Sequence, residues 1–283
     1  TASIITVSDS TLALVGEGTI SGISVTNNTT WKNMGFETMR LSNGNLKYRT
    51  ITATNTHLTI GEEGGEGPTI EGNGDTRYPL YETNKTRGGV ILVDGGSLTM
   101  NAGTVQKGAI GGSSAAYGGG IAVIGGDGFT MNGGTITQNI NKKSGSRYGG
   151  GVSVEKANFT MNGGEISGNT SGSYGGGVYV GGLAAAKAQV KIENGVITKN
   201  TANSYGGGLY VTNCEVITDQ ATFSGNTATS WGGAVYAYFS TAMTFNNTSF
   251  TDNTAGNRGG AICNSSYNNQ KMTINGCTIT GNK

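Results

Sequence analysis

The sequence repeats one pattern seven times between residues 88 and 283, with a period of about 30 residues. Five of the seven copies begin with an aromatic residue and a run of glycines followed by an apolar strand, most clearly at Tyr148, Tyr174 and Tyr205. Two further segments complete the copy. One ends in Asn-Gly-Gly, as in residues 159–164, and the other ends in Asn, as in residues 166–169. This period predicts an elongated stack of similar units, because each unit buries its apolar side against the next.

Apolar residues recur at fixed positions in three short segments of each copy. In the first segment two apolar residues flank a variable one, as in residues 121–123 and 178–180, which is the two-residue period of a strand. The second and third segments begin at positions held by Phe129 and Ile136 and their equivalents. Because parallel connections are overwhelmingly right-handed, we predict an all-β fold, a single right-handed parallel β-helix with three short strands per coil.

The corners between these strands are predicted to hold ladders of equivalent polar side chains. Stacked asparagines can hydrogen-bond to one another and to the backbone of turns. The glycines of the other corner allow positive φ and a close approach of neighbouring coils. The structural asparagine ladder is expected to consist of Asn139, Asn169, Asn200, Asn226 and Asn253.

Residues 1–87 are less regular than the rest. We interpret them as an N-terminal cap with irregular early coils, followed by the regular coils of residues 88–283. The charged and aromatic stretch 75–87 contains three candidate ligand contacts, Arg77, Tyr78 and Tyr81. The chain ends directly after a repeat phrase, so we expect it to be a fragment of a larger protein.

Composition argues against several classes of function. Only 12% of the residues are charged and the net charge is +1, whereas nucleic-acid binding normally requires a basic surface. The sequence contains no run of about 18 apolar residues that could cross a membrane as a helix. Cys214, Cys263 and Cys277 have neither disulfide nor metal-ligand spacing. We therefore expect no nucleic-acid partner, no transmembrane segment, no cofactor and no metal.

Two copies carry a more specific signature. Phe-x-x-Asn at Phe223 and Phe250 is followed by Gly-Gly-Ala-Val and Gly-Gly-Ala-Ile, which end at Val235 and Ile262. This combination resembles the repeats of polymorphic outer-membrane proteins, which are bacterial surface adhesins with β-helical passengers. The Tyr-Gly-Gly-Gly copies are similar to adhesin-like repeats of large bacterial surface proteins. The resemblance covers residues 88–283 and implies a β-helix, a location at the cell surface and no shared catalytic residues.

An enzyme is one alternative, because many parallel β-helices cleave polysaccharides. Glycoside hydrolysis needs a pair of carboxylates, and elimination needs a cation-binding group beside a base. The acidic residues of the repeats are scattered over several registers, and the single histidine, His57, is expected outside the regular stack. The best catalytic arrangement places the stretch 75–87 over Asp94 and Asp127.

Binding through the lateral face is favoured by aromatic columns. The variable position of the first strand is Tyr179, Tyr210 and Tyr236 in three successive copies, and Tyr238 and Phe239 extend this strip. Tyrosine combines a rigid apolar ring with a polar tip, which suits interfaces, although a simple stabilising ladder is the alternative. A second column precedes the glycines and is expected to pack over their backbone: Tyr117, Tyr148, Tyr174, Tyr205 and Trp231.

These observations predict a secreted, non-catalytic, adhesin-like segment of a bacterial cell-surface protein. Its lateral face is expected to bind a host surface protein or glycan. A polysaccharide-degrading lyase or glycoside hydrolase and a purely structural stalk are the alternatives. A column of outward threonines also suggests ice binding, but Lys191 and Ile217 interrupt it.

Overall fold

The computed structural model describes residues 3–8, 11–15, 19–21, 49–72, 85–111, 115–142, 145–182, 188–239, 242–265 and 270–283. Within these ranges every regular element is a β-strand, and every strand pairing is parallel. The predicted all-β parallel β-helix is therefore confirmed. Arg77, Tyr78 and Tyr81 lie outside the described residues, and the division of the chain at residue 87 stays a prediction.

The strands, numbered in chain order, form four sheets that run along the stack. The first two predicted strands share one sheet, because in two coils they are continuous. This 16-stranded sheet contains β1 (Ser3–Ser8), β2 (Thr11–Leu14), β4 (Arg49–Ile60), β7 (Ile91–Met100), β11 (Ile121–Ile124), β12 (Gly128–Met131), β16 (Val152–Glu155), β17 (Phe159–Met161), β20 (Val178–Gly181), β21 (Ala188–Glu193), β24 (Leu209–Thr212), β25 (Cys214–Asp219), β28 (Val235–Tyr238), β29 (Ala242–Asn246), β32 (Ile262–Ser265) and β33 (Lys271–Asn275).

The third predicted strand builds a separate nine-stranded sheet on another side of each coil. Its strands pair only with their equivalents in the coils before and after. They are β3 (Thr19–Ser21), β5 (Thr69–Glu71), β8 (Thr104–Gln106), β13 (Thr135–Thr137), β18 (Glu165–Ser167), β22 (Val196–Thr198), β26 (Thr222–Ser224), β30 (Ser249–Thr251) and β34 (Thr278–Thr280).

Two further sheets, which the sequence pattern did not predict, close the coil between the asparagine corner and the glycines. A six-stranded sheet contains β9 (Ala109–Ile110), β14 (Ile140–Asn141), β19 (Thr170–Ser171), β23 (Thr201–Ala202), β27 (Thr227–Ala228) and β31 (Thr254–Ala255). A three-stranded sheet contains β6 (Lys85–Arg87), β10 (Ala115–Tyr117) and β15 (Arg147–Tyr148). Single bridges continue its register from Tyr148 to Arg258.

Equivalent apolar side chains form continuous columns in the interior. In-register pairing places Ile121 beside Val152 and Phe129 beside Phe159. Complete burial of a side chain of this size contributes about 1.5–3 kcal/mol. The buried columns are Ile51, Ile91, Ile121, Val152, Val178, Leu209 and Val235 on the first strand, Leu58, Leu98, Phe129, Phe159, Val190, Val216 and Met243 on the second, and Ile70, Val105, Ile136, Ile166, Ile197, Phe223 and Phe250 on the third.

A buried asparagine column follows the third strand. Asn169 donates from Nδ2 to Asn200 Oδ1 at 3.0 Å and to the Ile136 carbonyl at 2.9 Å, and its main-chain N–H also donates to Asn200 Oδ1. Each asparagine side chain therefore bonds two backbone groups of the previous coil, as Asn200 does with the Asn169 N–H and the Ile166 carbonyl. The same bonds link Asn139, Asn169, Asn200, Asn226, Asn253 and Asn282.

At the glycine corner, neighbouring coils approach so closely that only glycine fits. Gly175 has a φ of +63°, a conformation that residues with a Cβ rarely adopt. A Cβ on Gly176 would lie 2.3 Å from the Gly207 carbonyl oxygen of the next coil. These contacts fix the direction in which the chain leaves the aromatic position and enters the first strand.

Replacing Asn200 by leucine should destabilise the stack. The Asn200→Leu change removes the side-chain partner of the Ile166 carbonyl and of the Asn169 N–H in a buried corner, and takes one hydrogen bond each from Asn169 Nδ2 and Asn226 Oδ1. Lost bonds of this kind cost about 1–3 kcal/mol. Asn132→Leu is the control, since Asn132 belongs to an exposed ladder with Asn101 and Asn162. Denaturant unfolding gives the free energy of unfolding of both variants. Equal losses would contradict the claim that the buried ladder stabilises the stack more than the exposed one.

Candidate aromatic binding surface

The residues that precede the glycines form a column at one lateral face. Five of them are aromatic, and an arginine continues the column at each end. Its members pair in register from coil to coil. All five aromatic residues are half-buried. We call this the outer column; it consists of Tyr117, Tyr148, Tyr174, Tyr205 and Trp231, with Arg87 before it and Arg258 after it in the same register.

The tyrosines of the first strand form an inner column. Tyr179, Tyr210 and Tyr236 pair in register, and their side chains point away from the core of the coil. They are nevertheless covered, with relative exposures of 8%, 8% and 3%. The strip predicted from the sequence as outward-facing is therefore largely hidden from solvent. Its role in ligand binding stays a prediction.

The inner column is covered by the outer one. The ring of Tyr148 lies 4.7 Å from that of Tyr179, measured between centroids, and the ring of Tyr205 lies 5.0 Å from that of Tyr236. Tyr148, Tyr174 and Tyr205 each pack on the inner ring of the following coil, so the two columns interlock. Aromatic pairs at this separation add about 0.5–1.5 kcal/mol to their area burial. The surface that remains accessible belongs to the outer column.

The outer rings stack on one another along the protein. The Tyr117 and Tyr148 centroids are 4.7 Å apart with planes inclined by 14°, and those of Tyr174 and Tyr205 are 5.6 Å apart with planes inclined by 18°. The Arg258 guanidinium lies 5.2 Å from the centre of Trp231 and closes the end of the stack. Stacking covers the faces of the rings and leaves their edges available.

An ion pair lies at the other end of the outer column. The Arg87 guanidinium lies 5.1 Å from the centre of the Tyr117 ring. It donates from Nε to Glu155 Oε1 at 2.9 Å and from Nη2 to Glu155 Oε2 at 3.4 Å. These two residues are 68 positions apart in the sequence. The bidentate pair holds the guanidinium over the ring and joins separate coils.

Tyr238 and Phe239 extend the same face beyond the inner column. Their ring centroids are 4.2 Å apart in an edge-to-face arrangement. Phe239 is 45% exposed and has a φ of +51°. A bulky residue in this backbone region is a marked exception. The structure thus presents an aromatic ring to solvent at a strained corner.

Burial suppresses ionisation of the tyrosines. Burial, followed by the charge of Glu155 and the neighbouring Tyr148, raises the pKa of Tyr117 to about 12. Burial likewise raises the pKa of Tyr174, Tyr210 and Tyr236. These hydroxyls are neutral at physiological pH and can both donate and accept hydrogen bonds.

Most of the stretch 75–87 lies outside the described residues, so its placement over Asp94 and Asp127 stays a prediction. Asp94 and Asp127 are exposed, and Asp94 shares a column with Glu155, which Arg87 binds. His57 lies in β4, in register with Ser97 and 2.7 Å from its Oγ, so the expectation that it lies outside the stack is wrong. Among the described residues no group of three His, Cys, Asp or Glu side chains could hold a metal. In that part of the chain no helix has the length and apolar character needed to cross a bilayer.

None of the three cysteines, all of which the structure describes, forms a disulfide. Cys214 is buried, and burial raises the pKa of its thiol to about 11. Its Sγ contacts the carbonyl oxygens of Val180 and Thr212. A neutral buried thiol of this kind acts as a small core side chain.

Comparison with known families agrees with the signature read from the sequence. Residues 220–238 and 247–265 match the Chlamydia polymorphic membrane protein repeat. Two segments of this β-helix therefore resemble that repeat. The matched segments contain the Phe-x-x-Asn and Gly-Gly-Ala phrases, and they carry Trp231 and the inner-column residue Tyr236. The comparisons with curated proteins and with solved structures gave no match.

The repeat family points to bacterial outer-membrane or surface proteins. The first match includes Trp231 of the outer column and Tyr236 of the inner column, whereas the second has Arg258 and Cys263 at the equivalent positions.

The raised pKa of Tyr117 predicts a pH dependence of stability. The unfolded chain ionises this tyrosine near pH 10, whereas the folded chain keeps it neutral up to about pH 12. The folded state therefore loses stability as the pH rises between about 10 and 12. We expect Tyr117→Phe, which keeps the ring, to lose less stability than the wild type over this window. Thermal melting at a series of pH values measures the difference, and identical pH profiles would contradict it.

Proposed function

We propose that this chain is a non-catalytic, adhesin-like segment of a bacterial cell-surface protein that presents its aromatic face to a host protein or glycan. The outer column is the observation that carries the proposal. It places five half-buried aromatic rings and two arginines in one register on one side of the stack. Tyr, Trp and Arg are the residue types that dominate binding energy at interfaces.

The rigidity of the column supports binding. Tyr148, Tyr174 and Tyr205 are each fixed between their neighbours along the stack and the inner ring of the following coil. Side chains that are ordered before association lose little conformational entropy when a ligand binds. The stack also fixes the spacing of the tyrosines, because strands of neighbouring coils lie about 4.8 Å apart.

The repeat family supports a location outside the cell. Proteins of the bacterial outer membrane or surface meet the extracellular medium. A long solenoid holds a surface away from its anchor, because each coil packs only on its neighbours and the stack extends in one direction. We propose an extracellular position on the bacterial surface for this segment. A spacer function uses the same solenoid but gives no role to the aromatic face.

Hydroxyl deletion in the two columns tests this function. Tyr174→Phe/Tyr205→Phe removes two hydroxyls from the half-buried outer rings and keeps the stack. We expect affinity for a ligand found on arrays of host proteins and glycans to fall by about tenfold, because each lost hydrogen bond costs about 0.5–1.5 kcal/mol. The measurement is the dissociation constant of the wild type and the variant for that ligand.

Tyr179→Phe/Tyr210→Phe is the matched control, since these rings are covered. We expect it to bind like the wild type. Binding that is unchanged by the outer pair would remove the outer column from the proposal. A folded wild-type chain that binds nothing would favour the spacer. A panel of polysaccharides, assayed for new reducing ends and for unsaturated products, tests the enzyme alternative with the same chain.

A further inference from the structure

Charge is separated by face in the three coils that hold the inner column. The segments 171–182, 202–213 and 228–239 contain no Asp, Glu, Lys or Arg. These segments carry Tyr174, Tyr205 and Trp231 of the outer column and the whole inner column. The charged residues described in the same coils lie instead on the second and third strands and at their corners: Lys191, Glu193, Lys199, Glu215, Asp219 and Asp252.

Charged residues border this uncharged patch along the stack. Glu155 and Lys156 end the first strand of the coil before it, and Arg258 lies in the coil after it. Depletion of charge at the centre, enrichment in aromatic residues and a polar rim are the compositional signature of a protein–protein interface. Burial accounts for the missing charge at most positions of these segments, but the positions that solvent reaches, among them Asn203, Thr229 and Phe239, are uncharged as well.

The orientation of the rings argues for a protein rather than a sugar chain. A sugar ring binds an aromatic side chain by lying on its face. In the outer column those faces are occupied by the next ring, at 5.1 Å between Tyr148 and Tyr174 and at 5.0 Å between Tyr205 and Trp231. Ring edges and hydroxyls are available instead, beside exposed polar residues such as Asn203 and Thr229. Tyr, Ser, Gly and Asn in combination are typical of surfaces that bind proteins.

Phe239 supplies an anchor at the border of the patch. In two earlier coils the equivalent position is occupied by Lys156 and by Asn213, and both residues have a positive φ. Asparagine adopts this conformation readily, whereas phenylalanine does not. Strained positions of this kind cluster at ligand contacts. An exposed ring in such a position, packed edge-on against Tyr238, fits the insertion of an aromatic side chain into a pocket of a partner.

We propose that the accessible side chains of the uncharged patch, residues 171–182, 202–213 and 228–239, form the docking surface for a folded protein with an uncharged contact surface. The partner supplies hydrogen-bonding groups for the tyrosine hydroxyls and an apolar pocket for Phe239. This inference rests on the proposed function and names its ligand class.

The test uses the full chain of 283 residues on two arrays, one of purified extracellular host proteins and one of defined glycans. Phe239→Asn restores the residue type of Asn213 at that corner, and Asn203→Lys brings a charge into the patch. We expect binding to a protein, weakened about tenfold or more by each variant, since both act at the contact surface. Thr222→Glu is the control, because its column on the third strand already holds Glu165; we expect its dissociation constant to stay within about twofold of the wild type.

Salt dependence gives a second measurement. An uncharged interface should change its dissociation constant by less than about threefold between 0.05 and 0.5 M salt. Larger weakening by salt, or binding that survives Phe239→Asn and Asn203→Lys, would overturn the inference.

The remaining outcomes separate this inference from the proposed function. Glycan binding that falls in Tyr174→Phe/Tyr205→Phe, without protein binding, overturns the inference and leaves the function standing. Self-association that Phe239→Asn abolishes in sedimentation assigns the patch to a second copy of the chain and also overturns it. A folded wild type that binds nothing on either array removes both proposals.

Discussion

In-register parallel pairing between successive coils is the constraint on which the structure depends. Each residue of β16 (Val152–Glu155) pairs with the equivalent residue of β11 and of β20, so every side chain lies directly over its counterpart about 4.8 Å away. A slip of one residue would move the apolar columns to the outside. The core, the asparagine column and the aromatic columns are three consequences of this one register.

The same register converts weak side-chain contacts into continuous arrays. A single asparagine at a turn satisfies local backbone groups, but a column of them also bonds from coil to coil. The aromatic columns interlock because the glycine corner folds Tyr174 back beside the first strand, where its ring meets Tyr210 of the next coil at 5.2 Å. A binding surface built in this way is held by the fold itself rather than by loops.

Much of this fold could be predicted because its residues recur at fixed positions. The apolar columns and the position of the asparagines follow from the spacing alone. The two short sheets could not be predicted, since two-residue strands such as β19 have no periodicity. The covering of Tyr179 depends on how the glycine corner turns, which the alignment of copies does not contain. The Arg87–Glu155 pair joins unlike registers 68 residues apart, and Thr218 bonds to Thr248 inside an otherwise apolar column; neither partner follows from a repeat.

Hydroxyl-radical footprinting read by mass spectrometry tests the central claim most directly, namely that register and glycine corners together leave the outer column accessible and cover the inner one. The account predicts oxidation of Tyr174, Tyr205, Trp231 and Phe239 in the folded chain, with Tyr179, Tyr210 and Tyr236 protected until unfolding. Equal oxidation of the two tyrosine columns in the folded chain would contradict it.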